Sequence, residues 1–236
     1  MPLYLLSEKL AFPSPDQADA EGLLAVGGDL SPQRLVLAYS TGIFPWYSEG
    51  EPILWWSPDP RMVIRPEEYH PSKSLQKEAR KKTYRISMDE AFEQVLDECA
   101  LVPRHDQEGT WITQGMKQGY TELFQHGVAH SIECWLDDQL VGGLYGLSLG
   151  KVFFGESMFS KRSNTSKLCF WALNDFAQNY GLEFIDCQLH NPHLESLGAY
   201  TIPKKEYLQW LYPALQHDTH LGSWTEDFAQ HKKNNS

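Results

Sequence analysis

The sequence lacks the marks of several protein classes. Its four cysteines, at 99, 134, 169 and 187, form no CxxC pair and no metal-finger spacing, so neither a thiol redox motif nor a structural zinc site is expected. No basic segment followed by an apolar stretch opens the sequence, so no secretory signal is visible. The longest run without a charged residue is Leu35–Ser48, 14 residues broken by Pro45, whereas a membrane span needs about 20. Positive charge is scarce too: 20 Lys and Arg stand against 31 Asp and Glu, a net charge of −11. That argues against a general coat-binder of nucleic acid, because phosphate binding needs a positive field. No repeat or low-complexity tract appears, and GxxxxGK[ST], GxGxxG and GxSxG are all missing. The absences together point to a reduced, soluble, cytoplasmic protein.

What is present is core material. Of 236 residues, 42% are hydrophobic and 22% charged, the balance of a globular protein and too apolar for a disordered one. Aromatic residues reach 13%, enough to build a core and line an aromatic pocket. The first sixty residues are rich in turn formers, including Phe12-Pro13-Ser14-Pro15, Gly27-Gly28-Asp29 and Ser57-Pro58-Asp59-Pro60. One short helix fits there, with Ser31 as N-cap, Pro32 at its first position and an end near Gly42. After Pro60 longer periodic elements begin, which places a boundary near residues 60–66 and suggests domains over 1–62 and 63–236.

Ser72 to Arg85 reads as a basic helix, with Lys73, Lys77, Arg80 and Lys81 on one face. Six basic residues against Glu78 give this segment +5, leaving the rest of the chain at −16. Ser87 with Glu90 three residues later forms a capping box that predicts a helix with Met88, Phe92, Val95, Leu96 and Cys99 inward. Thr113 to His126 predicts another helix, ended by Gly127. Strands are expected over 128–135, 140–146, 152–156 and 183–189, with a helix over 167–180 before the last strand. A final helix or pair of turns spans 205–215, and the tail from His231 reads as frayed. The order predicts an α+β fold.

Three places could carry chemistry. On strand 183–189, alternation puts Asp186 and Gln188 on one face, within hydrogen-bond reach of each other; a solvated strand face is the alternative. Glu156 sits beside Gly155 in an apolar strand end, where a buried carboxylate needs a partner or shifts its pKa; a structural ion pair is the alternative. Trp46, Trp55, Trp56 and Trp111 lie near turns and could stack a base or serve as core. The basic helix could bind RNA phosphates or simply be solvated. A metal at His190 and His193 is rejected, because their Pro-containing loop supplies no carboxylate or cysteine. The loop Arg162–Lys167 has no glycine, so the pyrophosphate-cradling turn of a CoA-dependent acetyltransferase of the GNAT type is missing.

An ordered set of segments resembles the bacterial leucyl/phenylalanyl-tRNA–protein transferase family. These are GLLAVGGDLSPQRLVLAYSTGIFPW (Gly22–Trp46), WWSPDPR (Trp55–Arg61), TWIT (Thr110–Thr113), Ala129–Trp135, LVGGLYG (Leu140–Gly146), FFGESMFS (Phe153–Ser160), Ser166-Lys167, IDCQ (Ile185–Gln188) and HLESLGA (His193–Ala199). The resemblance implies a small N-terminal α+β domain followed by a GNAT-like domain, with a mixed, largely antiparallel sheet flanked by helices, that takes aminoacyl-tRNA instead of CoA. It implies transfer of Leu or Phe, less readily Met, to the α-amine of proteins beginning with Arg or Lys, which are then handed to ClpS–ClpAP proteolysis.

By position, Asp186 and Gln188 match the family's catalytic pair and Glu156 an acid beside the substrate. Trp111, Leu144, Phe153, Gly155, Leu173 and Ile185 would line the aminoacyl pocket, and Trp46 with Trp111 would hold the terminal adenosine. Lys77, Arg80, Lys81, Lys82 and Arg85 would touch the acceptor stem. No metal or organic cofactor, no membrane and no second copy of the chain is implied. A Fem-like peptidoglycan aminoacyl-transferase shares this fold and donor but usually has two such domains and a longer chain. A non-enzymatic module recognising basic N-termini is the other alternative.

Overall fold

Short turn-bounded segments at the N-terminus and long periodic ones after Pro60 build two sheets. The computed structural model describes residues 3–102 and 112–234. The first sheet has four strands, β1 (Tyr4–Leu6), β2 (Leu23–Gly27), β3 (Phe44–Pro45) and β4 (Leu54–Trp56), in the order β1-β2-β4-β3. Between β2 and β3 runs α1 (Pro32–Ser40), which starts as its sequence predicts: the Ser31 hydroxyl accepts the Arg34 amide, and Pro32 occupies the first turn. Trp55 is fully buried on β4 and donates its indole N–H to Gly27, so it is core.

The next strand, β5 (Arg61–Ile64), joins a different sheet. After it come α2 (Lys73–Arg80), β6 (Arg85–Met88), α3 (Phe92–Ala100), α4 (Gln114–Gln125), β7 (Ala129–Leu136), β8 (Gln139–Leu149) and β9 (Val152–Ser160). The chain ends with α5 (Thr165–Tyr180), β10 (Phe184–Gln188), α6 (Pro192–Glu195), β11 (Tyr200–Ile202), α7 (Lys204–Ala214) and α8 (Thr225–Asn234). The seven-stranded order is β11-β5-β10-β9-β8-β7-β6, antiparallel except for the β9–β10 pair. Helix α5 packs on one face, over Leu144, Phe153, Ile185 and Trp224. The other face carries α1, α3, α4 and α7 and is continuous with the first sheet, through Trp55, Tyr145, Phe154 and Leu211. The mixed, helix-flanked α+β sheet is the one expected.

Two irregularities interrupt the large sheet near its middle. Gly146 pairs with Gly155 and Tyr145 with Ser157, so Glu156 is the extra residue of a β-bulge in β9. The parallel pairing of β9 with β10 stops at Phe154 opposite Asp186. Past that point β9 continues to Ser160 along β8, while β10 bulges against β5 between Asp186 and Gln188. The two neighbours diverge, and a cleft opens between them.

Several local expectations are corrected. The basic helix ends at Arg80: Lys82 turns the chain at φ +54°, and Arg85 begins β6. Ser87 caps no helix. It lies on β6 opposite Glu133, donating to the Glu133 carboxylate and accepting the Trp135 indole N–H, while α3 starts at Phe92. The ladder to β7 outweighs the local box. Strands β8 and β9 run longer than their apolar cores suggested. The described part of the tail is not frayed: α8 docks Phe228 and His231 against α5, with His231 bonded to Asp175 at 2.7 Å. Ahead of it, the Trp224 amide donates to Asp89, whose carboxylate also meets His130, and the Trp224 and His130 rings stack at 3.8 Å.

Gly146 stands behind the bulge, where a Cβ would lie 2.1 Å from the Phe154 carbonyl and 2.6 Å from the Phe153 ring. Gly146→Ala should destabilise the fold at the upper end of the roughly 1–3 kcal/mol typical of overpacking, read as a lowered denaturation midpoint. A midpoint equal to that of the unsubstituted protein would show that the bulge tolerates the methyl group.

Candidate functional site

The cleft apex gathers one carboxylate and three donors. The bulge turns Glu156 toward α1 and α4, where Tyr39 donates to Oε1 at 2.7 Å and Tyr120 to Oε2 at 2.8 Å. The two phenols also touch each other at 2.5 Å. Gln188 Nε2 donates to Oε1 at 2.7 Å. Although Glu156 as a residue keeps some exposure, this carboxylate is enclosed. Burial pushes it up to about 7, against the hydrogen bonds from Tyr39, Tyr120 and Gln188, and the Asp186 charge adds to the rise. Burial, and then the Glu156 charge, hold both tyrosine hydroxyls well above their ordinary range, so they stay protonated donors.

Gln188 is held from behind. It sits at φ +61°, a conformation rare outside glycine, and its backbone amide donates to Asp186 Oδ1 at 2.9 Å. Asp186 thus positions Gln188 through the main chain, and not through the side-chain bond expected from strand alternation, because the bulge interrupts that alternation. With Nε2 committed to Glu156, Gln188 Oε1 has no hydrogen-bond partner among the described residues and is free to accept from a ligand. Residues 184–188 are buried throughout, which removes the solvated-face alternative.

Asp186 is fully buried and occupied. Arg61 grips it with Nε at 2.8 Å and Nη2 at 2.6 Å, and the Tyr207 hydroxyl donates to it at 2.7 Å. Arg61 reaches on to the Gly42 carbonyl and lies between the Phe44 and Tyr207 rings. Burial alone would lower the guanidinium pKa; the Asp186 charge outweighs it and keeps Arg61 above its ordinary value. Both of its oxygens are thus taken by donors of the protein itself.

The remaining predicted residues are spread over several places. Leu144, Phe153, Leu173 and Ile185 come together beneath the cleft, each at most 3% exposed, as a packed apolar cluster. Gly155 lies at the mouth of the cleft, its virtual Cβ 3.7 Å from the Asp186 carbonyl. Trp46 is partly buried against Trp56, with ring centroids 5.7 Å apart, and Trp111 lies outside the described residues. Lys77, Arg80, Lys81, Lys82 and Arg85 are all at least partly exposed, but Lys81 pairs with Glu78 and Arg85 with Glu90. His190, set aside as a ligand for want of a carboxylate, has Glu195 at 3.2 Å. Among the described residues no group of three metal-binding side chains forms, and no helix is long and apolar enough to cross a membrane.

Sequence inspection missed Tyr39, Tyr120, Arg61 and Tyr207. A signal existed for Arg61, a charged residue leading straight into Met62-Val63-Ile64. An arginine in a buried strand needs a partner. The tyrosines gave none, because their helical spacing marks them only as core.

Comparison with known proteins gives one answer along the chain. A family model described as leucyl/phenylalanyl-tRNA protein transferase matches residues 63–212, and the model of that family's N-terminal domain matches residues 28–59. The leucyl/phenylalanyl-tRNA–protein transferase of Desulfatibacillum aliphaticivorans is 54% identical over 225 residues, 95% of this chain and 97% of that protein. That of Myxococcus xanthus is 48% identical over 231 residues, 97% of this chain and 99% of that protein. Among solved structures, an aminoglycoside acetyltransferase from an uncultured soil metagenomic sample aligns at a TM-score of 0.39 and 16% identity, over 50% of this chain and 85% of its own.

Arg61→Met should cost about 3–5 kcal/mol by leaving Asp186 charged and buried alone. Adding Asp186→Asn should return part of that loss, so chemical denaturation of the two single variants and the double variant should show non-additivity. Additive losses would mean that the pair is not coupled.

Proposed function

Because this chain belongs to the leucyl/phenylalanyl-tRNA–protein transferase family, and is thus an aminoacyltransferase, we propose that its β9–β10 cleft moves Leu or Phe, less readily Met, from aminoacyl-tRNA onto proteins whose first residue is Arg or Lys. The product is a substrate for ClpS–ClpAP proteolysis. The acceptor's α-amine, with a pKa of about 7.7–8.0, needs alignment more than activation, since the ester is already reactive. Gln188 Oε1 accepts a hydrogen bond from the amine and aims its lone pair at the ester carbonyl. The C–N bond forms, the carbonyl–ribose oxygen bond breaks, and the proton shed by nitrogen passes to Glu156 and on to the departing ribose oxygen. An amide is too weak a base to hold that proton, so Gln188 orients and Glu156 receives. The observation that carries this mechanism is the Gln188–Glu156 bond, which leaves Oε1 unpartnered beside a carboxylate titrating near neutrality.

The other placements belong to the same proposal. Leu144, Phe153, Leu173 and Ile185 form the apolar wall against which the aminoacyl side chain is chosen by shape, since one methylene is worth only about 1–3 kcal/mol. Trp46 and Trp111 hold the terminal adenosine. Lys77, Arg80, Lys81, Lys82 and Arg85 meet acceptor-stem phosphates without reading bases. Residues 1–62 act as a smaller domain that shares its core with the rest of the chain and lends Tyr39, Trp46 and Arg61 to the cleft, and one copy of the chain in the cytoplasm suffices.

Radiolabelled Leu-tRNA and two peptides differing only in an N-terminal Arg or Ala test donor and acceptor together. Label should move to the Arg peptide alone; transfer to neither, or equally to both, overturns the assignment. The pH dependence of kcat tests the proton acceptor. Ionisation of Glu156 predicts a rise as pH increases through about 7, followed by a second rise as the amine loses its proton. Glu156→Gln should abolish the first rise and keep the second. An unchanged profile would exclude Glu156 from the proton's path.

A further inference from the structure

The cleft does not end at Glu156. From Glu156, beyond the point where β10 leaves, β9 runs on to Ser160, about 13 Å further at the usual strand rise. There a cavity of about 480 Å³ lies between the end of β9, the start of α5 and the α6 segment. Its polar lining includes Ser160, Asn164, Ser166, Lys167 and His193, and Leu101 with Val102 form an apolar side.

The chemistry of this lining is that of an anion site. The 16-residue helix α5 opens here without a side-chain cap, because its N-cap Asn164 sits in the left-handed conformation. Ser160 Oγ takes the Ser166 amide, while the Lys167 amide meets no acceptor among the described residues. Free amides at a helix start, together with the helix dipole, attract negative charge. A second observation concerns a side chain of the first turn and not its amides. Ser166 is only 6% exposed and lines the cavity, yet its hydroxyl has no hydrogen-bond partner among the described residues. The hydroxyl therefore opens into the cavity, where a ligand can take it. Lys167 has no carboxylate partner among the described residues, and burial, then the Lys167 charge, lowers the pKa of His193, which stays a neutral hydrogen-bonding group. The one acid in the lining, Glu98, is already paired with Lys161.

We propose that this cavity seats a backbone phosphodiester of the donor's 3′ end, held by the Ser166 hydroxyl, the start of α5 and the Lys167 ammonium. The assignment rests on the donor being an aminoacyl-tRNA, and it deepens that reading. It gives the donor two anchors on one strand: the ester at Glu156 and a phosphate near Ser160, a separation that the terminal nucleotides of an extended 3′ end span. Reading only a phosphate, the second anchor is blind to base sequence.

Two donors separate the phosphate from everything else. Leucyl-adenosine carries the ester without a phosphodiester, whereas leucyl-CpCpA carries both. In the paired substitutions Ser166→Ala and Lys167→Ala, made separately and together, KM for leucyl-CpCpA should rise about tenfold, as expected for losing a charge-assisted contact. kcat, and both constants for leucyl-adenosine, should stay as they are. Lys167→Arg should restore most of the loss. Equal damage with both donors, or none with either, overturns the proposal. Binding of uncharged CpCpA, measured by fluorescence polarisation with inorganic phosphate as competitor, reads the site without catalysis. If the unsubstituted protein transfers from neither donor, the functional assignment fails. Phosphate-sensitive, Lys167-dependent CpCpA binding would still support the anchor, and its absence would remove it. Inorganic phosphate bound as tightly as CpCpA would point to a free-phosphate site and overturn the phosphodiester.

Discussion

The buried pair between Arg61 and Asp186 is the constraint on which the cleft depends. It joins the first residue of β5 to the middle of β10, reaches the turn after α1 through the Gly42 carbonyl, and recruits Tyr207 from α7. Four separate stretches of chain meet at this one ion pair. The same carboxylate takes the Gln188 amide, so the strain of a left-handed glutamine is met by a bond that only a correctly placed Asp186 can offer. A buried ion pair contributes little net stability against an apolar substitute. Its value here is in placement: β10 is anchored to β5 where it must part from β9.

That parting and the bulge in β9 work together. Had β9 and β10 stayed paired past Phe154, the space above Glu156 would be filled by ladder hydrogen bonds. Had β9 lacked the extra residue, Glu156 would follow the strict alternation of the strand and lose Tyr39 and Tyr120. Irregularity in both strands at one level of the sheet turns a regular surface into a cleft with a carboxylate at its apex. The tyrosines then hold that carboxylate by donating to it, while burial keeps its titration near neutral pH.

Much of this was legible in the sequence, and the illegible part has a physical pattern. Periodicity and capping found α1, α4 and α5 and the strands β7 to β10, because those signals are local. The sequence also singled out Glu156 and Gln188, through a carboxylate in an apolar strand and a polar residue alternating with one. It could not pair them, since the bond between them spans two strands and depends on a bulge with no local signature. Ser87 shows the opposite failure. Its capping box is a sound local signal, overruled by a ladder to β7 and by a buried role under Glu133 and Trp135. Tyr39, Tyr120 and Tyr207 look like core and are core, yet each also donates into the network at the cleft.

Helix α8 has a consequence for the edge of the large sheet. Strand β6 is an edge of the large sheet, and its outward carbonyls are closed by side chains: Thr225 donates to Met88, and Lys232 donates to Ile86. An open strand edge invites pairing with other chains. The guard of this edge is thus a helix and not a further strand, and it stays in place only while Trp224 and Phe228 remain docked. Whatever loosens that docking uncovers an apolar face and an unpaired strand at the same moment, so the solubility of the large sheet rests on the packing of these two side chains.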